Sequence, residues 1–197
     1  MLWTDFLNSE WHDWRGSGRT DDRLDNPQWL KEFLETWKLD APVPPDAGEL
    51  AALKEFRGCL RSQAERLVSG TIPSDANLRE LNRVMAGGPV IRQISHTAEG
   101  RQLDLLPFKR DWAQVMAEIA ASFALTLVEG EGARVRVCAN PDCLWVFYDD
   151  TRNRNKRFCD DKSCGNLMKV RRFRARHQGS TGQPGPGPEG RPDGGSK

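Results

Sequence analysis

The sequence predicts an α+β fold: a mainly helical N-terminal domain with a β-hairpin, followed by a small treble-clef-like finger. Three observations carry this. Apolar residues recur at helical spacing over most of residues 1–132, broken by one pair of short alternating runs. Four of the five cysteines fall between residues 138 and 164, as two equally spaced pairs. The stretch 178–197 holds seven glycines and four prolines, cannot bury a core and is expected to be disordered. The expected divisions are 1–132, 133–177 and 178–197, and 197 residues suit one medium domain plus a small one.

In chain order, Trp3, Phe6 and Leu7 share one face of a first helical segment. His12 lies nearby with no motif to make it a ligand. Asn26-Pro27 places a capping residue before an N1 proline, and Leu30, Phe33, Leu34 and Trp37 then form a helical stripe that stops before Pro42. Asp46 and Glu49 have the spacing of a capping box opening a long helix, whose buried side is Leu50, Leu53, Phe56, Leu60, Ala64 and Leu67, with Gly70 at its end. Cys59, on that helix, reads as a small packing residue. Ser74 caps a third helix through Leu78, Leu81, Val84 and Met85, ending at Gly87-Gly88. Residues 90–95 and 102–106 alternate as two strands of a hairpin, and one face is expected to lie under helices. A fourth helix runs from about Asp111 to Glu129, and Gly130-Glu131-Gly132 marks the boundary before the finger.

Within the finger, four residues separate Cys138 from Cys143 and four separate Cys159 from Cys164, with fifteen residues between the pairs. Two thiolate pairs on tight turns converge on one tetrahedral Zn²⁺. The turns are Asn140-Pro141-Asp142 and residues 160–163. Two disulfides are the alternative. The opening LWTDFLNSEWHDW lacks the basic and apolar regions of a secretory leader, and no run of eighteen apolar residues could span a membrane, so a cytoplasmic location is expected, where reduced thiols favour metal. Four cysteine ligands close the coordination shell, so the ion is structural; it supplies folding free energy that about forty residues cannot bury for themselves. Residues 144–148 read as a strand packing over the zinc, Phe158 as part of a second short strand, and 165–176 as a helix with Leu167, Val170 and Phe173 turned inward.

The run from Cys138 to His177 resembles the CGNR zinc finger, found in bacterial proteins behind an N-terminal ABATE domain and regarded as stress-induced transcription regulators. The matching residues are Cys138, Pro141, Cys143, the aromatics around Phe147, Asp149 to Asn153, Arg157-Phe158-Cys159, Cys164-Gly165-Asn166 and Lys169-Val170-Arg171. Leu167 stands where the family has its last-letter arginine, a role that is absent here or falls to a neighbour such as Lys169. The segment LWTDFLNSEWHDWRG is similar to the family's opening.

Charge is divided unevenly. Residues 134–177 carry twelve Lys/Arg against five Asp/Glu, whereas residues 1–133 carry fifteen against twenty-one. An acidic body with a basic module predicts a polyanionic partner for the module. The candidate contacts are Arg152, Arg154, Lys156 and Arg157 in a basic turn and Lys169, Arg171, Arg172, Arg174 and Arg176 on the following helix, nine bases with no acid in either run. A merely solvated charged helix is the bland alternative. The family resemblance favours DNA over RNA. The expected function is a zinc-dependent DNA-binding transcription regulator, whose N-terminal domain senses a small-molecule effector or mediates assembly, including as a homodimer. The alternative is an interaction protein whose finger binds RNA or an acidic protein. Nothing resembles a catalytic triad, a phosphate loop or a carboxylate pair, so no enzyme activity and no membrane partner are expected.

Overall fold

The computed structural model describes residues 1–71 and 73–178. The stretch expected to be disordered lies outside the described residues, apart from Gln178, which closes the last helix. No helix among the described residues is long and apolar enough to cross a membrane.

The chain opens with helix α1 (Leu2–Leu7), which buries Trp3, Phe6 and Leu7 as their spacing requires. A two-stranded antiparallel ribbon that the sequence did not announce follows: β1 (Glu10–His12) pairs with β2 (Thr20–Asp22). Helix α2 (Pro27–Trp37) starts where Asn26 accepts hydrogen bonds from the Gln28 and Trp29 amides, and ends at Lys38, whose φ of 54° is left-handed. Helix α3 (Ala47–Val68) opens with both bonds of the Asp46/Glu49 capping box. Helix α4 (Asp75–Ala86) uses Ser74 and Asn77 in the same way, and α5 (Trp112–Val128) is capped by Asp111.

These helices meet in one core. Trp3 lies edge-on to Phe123 with ring centroids 5.0 Å apart, and its indole N–H donates to Thr126 at 3.0 Å. Phe6 sits between Phe33 and Phe56. A half-buried ion pair joins the β1–β2 ribbon to α3: buried Arg57 donates to both carboxylate oxygens of Asp22 at 2.7 Å and to Ser9 at 2.8 Å. Burial alone would raise the Asp22 carboxyl, but the hydrogen bonds and charge of Arg57 outweigh it and hold it below the usual carboxylate range. A depressed folded-state pKa contributes stability above the unfolded value of about 3.9, lost as pH falls through the folded one. Asp22→Asn is therefore expected to lower the melting temperature at pH 7 and to leave it less sensitive to acidification below pH 4, as thermal melts across that range would show.

Strands β3 (Val90–Thr97) and β4 (Gly100–Pro107) form the expected hairpin, with Ile94 opposite Leu103. Among the described residues, the expected helical cover is absent. Ile94 is 71 % exposed and Leu103 61 %, and neither strand contains a buried residue. An eight-residue strand is about 27 Å long, and only the base of this one meets the body, where Gly88 lies against Ala117 and Gln114 of α5.

The finger begins with β5 (Val135–Val137), which pairs antiparallel with β6 (Val146–Tyr148), and ends with α6 (Asn166–Gln178). Two expectations fail here. Phe158 is not in a strand: beside it a single backbone bond, from the Ala139 amide to the Arg157 carbonyl at 2.8 Å, replaces a ladder, and its ring packs on the cysteine cluster. Val170 and Phe173 are 44 % and 53 % exposed rather than packed inward, because only the first turns of α6 meet the cysteine cluster, through Met168.

The finger is not merely adjacent to the body. Val135 and Val146 are fully buried in the same core as Trp3 and Leu60. Asn8, itself buried, donates to the Val146 carbonyl at 2.8 Å and accepts from the Val146 amide at 2.9 Å, standing in for a third strand along β6. Arg61 adds bonds to the Leu144 and Leu7 carbonyls.

Candidate metal centre

Each cysteine pair is set by local backbone chemistry. At the first, the Cys143 amide donates to the Asn140 carbonyl at 3.0 Å and the Cys138 amide to the Trp145 carbonyl at 2.9 Å. Leu144, at φ 54°, turns the chain back towards β6. At the second, the Asp160 carboxylate accepts from the Ser163 amide at 2.8 Å, capping a wide π-type turn, Asp161–Gly165, that leads into α6.

The Sγ atoms of Cys138, Cys143, Cys159 and Cys164 all lie within 4.8 Å of one another. Cys143 and Cys159 are 3.7 Å apart and Cys159 and Cys164 3.9 Å. A tetrahedron with Zn–S bonds of about 2.3 Å has edges of about 3.8 Å, so the donor set and its spacing fit one zinc ion with a closed shell. Phe147 and Phe158 pack against the cluster, flanked by Trp14, Trp145 and Met168. The sulfurs are close enough to share protons. Hydrogen bonds from Cys143 and Cys159 bring the Cys138 thiol down to about 2, and the bond with Cys138 pushes Cys143 up to about 12 and Cys159 up as well. A divalent cation replaces those shared protons and lets all four sulfurs carry charge. Cys59, half-buried on α3, is not part of the cluster.

Asn140 was legible only as a turn residue, yet it does more. Its buried amide donates to Cys164 Sγ at 3.4 Å and to the Trp14 carbonyl at 2.8 Å, so one side chain supports a ligand and ties it to the β1–β2 loop. Asp149, also buried, organises the basic turn. Its carboxylate accepts from the Thr151 hydroxyl and amide and from the Lys156 amide, and these bonds, the hydroxyl's foremost, hold it below the usual carboxylate range. Arg136 fixes the same turn by donating to the Arg154 carbonyl at 2.9 Å. Arg154 itself has a left-handed φ of 50°.

The nine candidate bases divide into groups. Arg152, Arg154 and Arg157 are exposed on the turn, and half-buried Lys156 lies 5.7 Å from the centre of the Phe147 ring. On α6, Lys169, Arg172, Arg174 and Arg176 are exposed, and Lys169, Arg172 and Arg176 line a shallow groove. Arg171 differs from the rest. It donates to Asp142 at 2.6 Å and to the Arg15 carbonyl at 2.9 Å, which makes it a clamp within the protein.

Two family models match the chain. The ABATE model, described as "Putative stress-induced transcription regulator", matches residues 1–131, and the CGNR zinc finger model matches residues 134–177. Neither describes an enzyme. No curated protein matches the chain. With two thirds of its length under the first model and a quartet of cysteines where the second places its finger, the chain belongs to the ABATE family and carries a CGNR zinc finger with one structural zinc.

Proposed function

We propose that the protein is a non-enzymatic, cytoplasmic, zinc-dependent regulator whose finger binds duplex DNA through the 152–157 turn and the exposed face of α6. Cys138, Cys143, Cys159 and Cys164 hold the zinc, and residues 1–132 form the domain that senses an effector or mediates assembly. The observation that carries this reading is the exposed row Lys169, Arg172 and Arg176, one helical face free of acidic residues, together with the exposed turn arginines Arg152, Arg154 and Arg157. Guanidinium and ammonium groups in such a row match successive phosphates. An apolar cavity of about 390 Å³ lined by Leu67, Leu78 and Leu127 supports an effector site, and the bare β3–β4 hairpin supports assembly, a homodimer included.

A second reading, RNA or other single strands, is favoured by one feature. Phe173 and His177, both exposed on α6 among its arginines, have ring centroids 4.0 Å apart with planes tilted by 31°, and aromatic faces of this kind take stacked bases. Binding of the zinc-loaded chain to a random-sequence duplex, titrated over a salt series, tests the proposal. If about six finger bases meet phosphates, their share of the slope of log affinity against log salt is about −5. Reversing Lys169, Arg172 and Arg176 to glutamate is expected to abolish binding with zinc content unchanged. Duplex binding that survives the triple reversal overturns the proposal, and binding of single strands only favours the second reading.

A further inference from the structure

The loop joining β1 to β2, residues 13–19, belongs to the N-terminal domain in sequence but is fastened to the finger in space. The Asn140 side chain holds the Trp14 carbonyl, and Arg171, paired with Asp142, holds the Arg15 carbonyl. Directly after these anchors Gly16 has φ +89°, and a β-carbon there would come within 2.7 Å of the Arg171 guanidinium and 2.9 Å of the Asp142 carboxylate. The left-handed φ favours glycine, and any side chain there would have to displace the Arg171–Asp142 pair. Trp14 packs against the cysteine cluster, and the Arg15 guanidinium lies over its ring, 4.9 Å from the centroid.

The loop therefore ties the Arg15 backbone to α6 and leaves the side chains of Arg15 and, four residues on, Arg19 exposed; among the described residues neither makes a salt bridge to a carboxylate. The Asp13 carboxylate accepts from the Ser17 hydroxyl and the Arg15 amide within the loop, and those bonds, with the nearby charges of Arg15 and Arg19, hold it below the usual carboxylate range. Just beyond, Arg23 lies over Trp145 of the finger at 5.9 Å. We infer that this loop completes the phosphate-binding surface of the finger, with Arg15 and Arg19 as two further contacts to the DNA backbone and Arg171 as the positioning residue that holds them there. The inference rests on the DNA-binding reading above and extends it across the boundary near residue 132: the body supplies part of the surface, and the finger alone is an incomplete binder.

The test uses the full, zinc-loaded chain and a random-sequence duplex over a salt series. Two phosphate contacts contribute about −1.8 to the salt slope, so the double change Arg15→Ala, Arg19→Ala is expected to reduce the slope by about 2 and the affinity near 0.1 M salt by on the order of fiftyfold. The double lysine change is expected to keep the slope, because it preserves charge while removing the guanidinium stack on Trp14. As a control, Arg79→Ala on α4 removes an exposed arginine away from the finger and is expected to leave the slope unchanged. Gly16→Val, with both arginines present, is expected to weaken binding by displacing the loop. If wild type binds and the alanine pair does not change slope or affinity, or the control loses as much, the loop is no part of the surface and the finger reading stands. If wild type binds no duplex, both readings fall together.

Discussion

Cys159→Ser is expected to leave the protein without zinc and its finger unfolded, the largest effect of any single change in this chain. Three remaining sulfurs cannot close the shell, and zinc binding is worth on the order of 10 kcal/mol in small finger peptides. Because Val135 and Val146 are buried in the body's core, the loss spreads beyond the finger. The helical circular dichroism of α2 to α5 is expected to persist at 25 °C, but the melting temperature falls and chelator reproduces the fall in wild type. Elemental analysis and thermal melts read both, with Cys59→Ser as the control that keeps its zinc. Full zinc content in the Cys159→Ser protein would refute the ligand set, and an unchanged melting temperature after zinc loss would show that the shared core does not transmit it.

Asn8→Ala is expected to be the most damaging change away from the metal. Both polar groups of the Val146 backbone are bonded to the Asn8 side chain, and Val146 is fully buried. Truncation strands an N–H and a C=O in an apolar core, at about 1–3 kcal/mol each. For a chain of this size the melting temperature falls by on the order of 10 °C. The zinc ligands are untouched, so metal content should stay at one per chain; a melting point within a degree or two of wild type would mean that water takes over the role of Asn8.

What could be read in the sequence was what the chain settles locally. The caps at Asn26, Asp46 and Ser74 each act within three residues, so their bonds follow from spacing alone. The cysteine quartet was legible because the same spacing occurs twice, although the two turns that realise it differ. What escaped was long-range. Asn8 and Val146 are 138 residues apart, and neither carries a local signature of its partner. Asn140 and Asp149 lay within or beside recognisable motifs, but their tasks depend on the Trp14 carbonyl and the Lys156 amide, which no spacing predicts. The expected cover over the β3–β4 hairpin and the inward packing of Val170 and Phe173 failed for another reason. Apolar periodicity identifies a face suited to burial, but it does not state that a second surface is there to cover it.

Arg154 bears on how the basic turn balances durability against charge. A left-handed backbone costs a non-glycine residue roughly 1 kcal/mol or more, and the neighbouring Asn153 and Asn155 are residue types that tolerate it better. The chain nevertheless places an arginine at that position and restrains it through Arg136. A glycine there would relax the backbone and discard a cation, so the turn is a place where a more durable protein and a more highly charged one are different sequences.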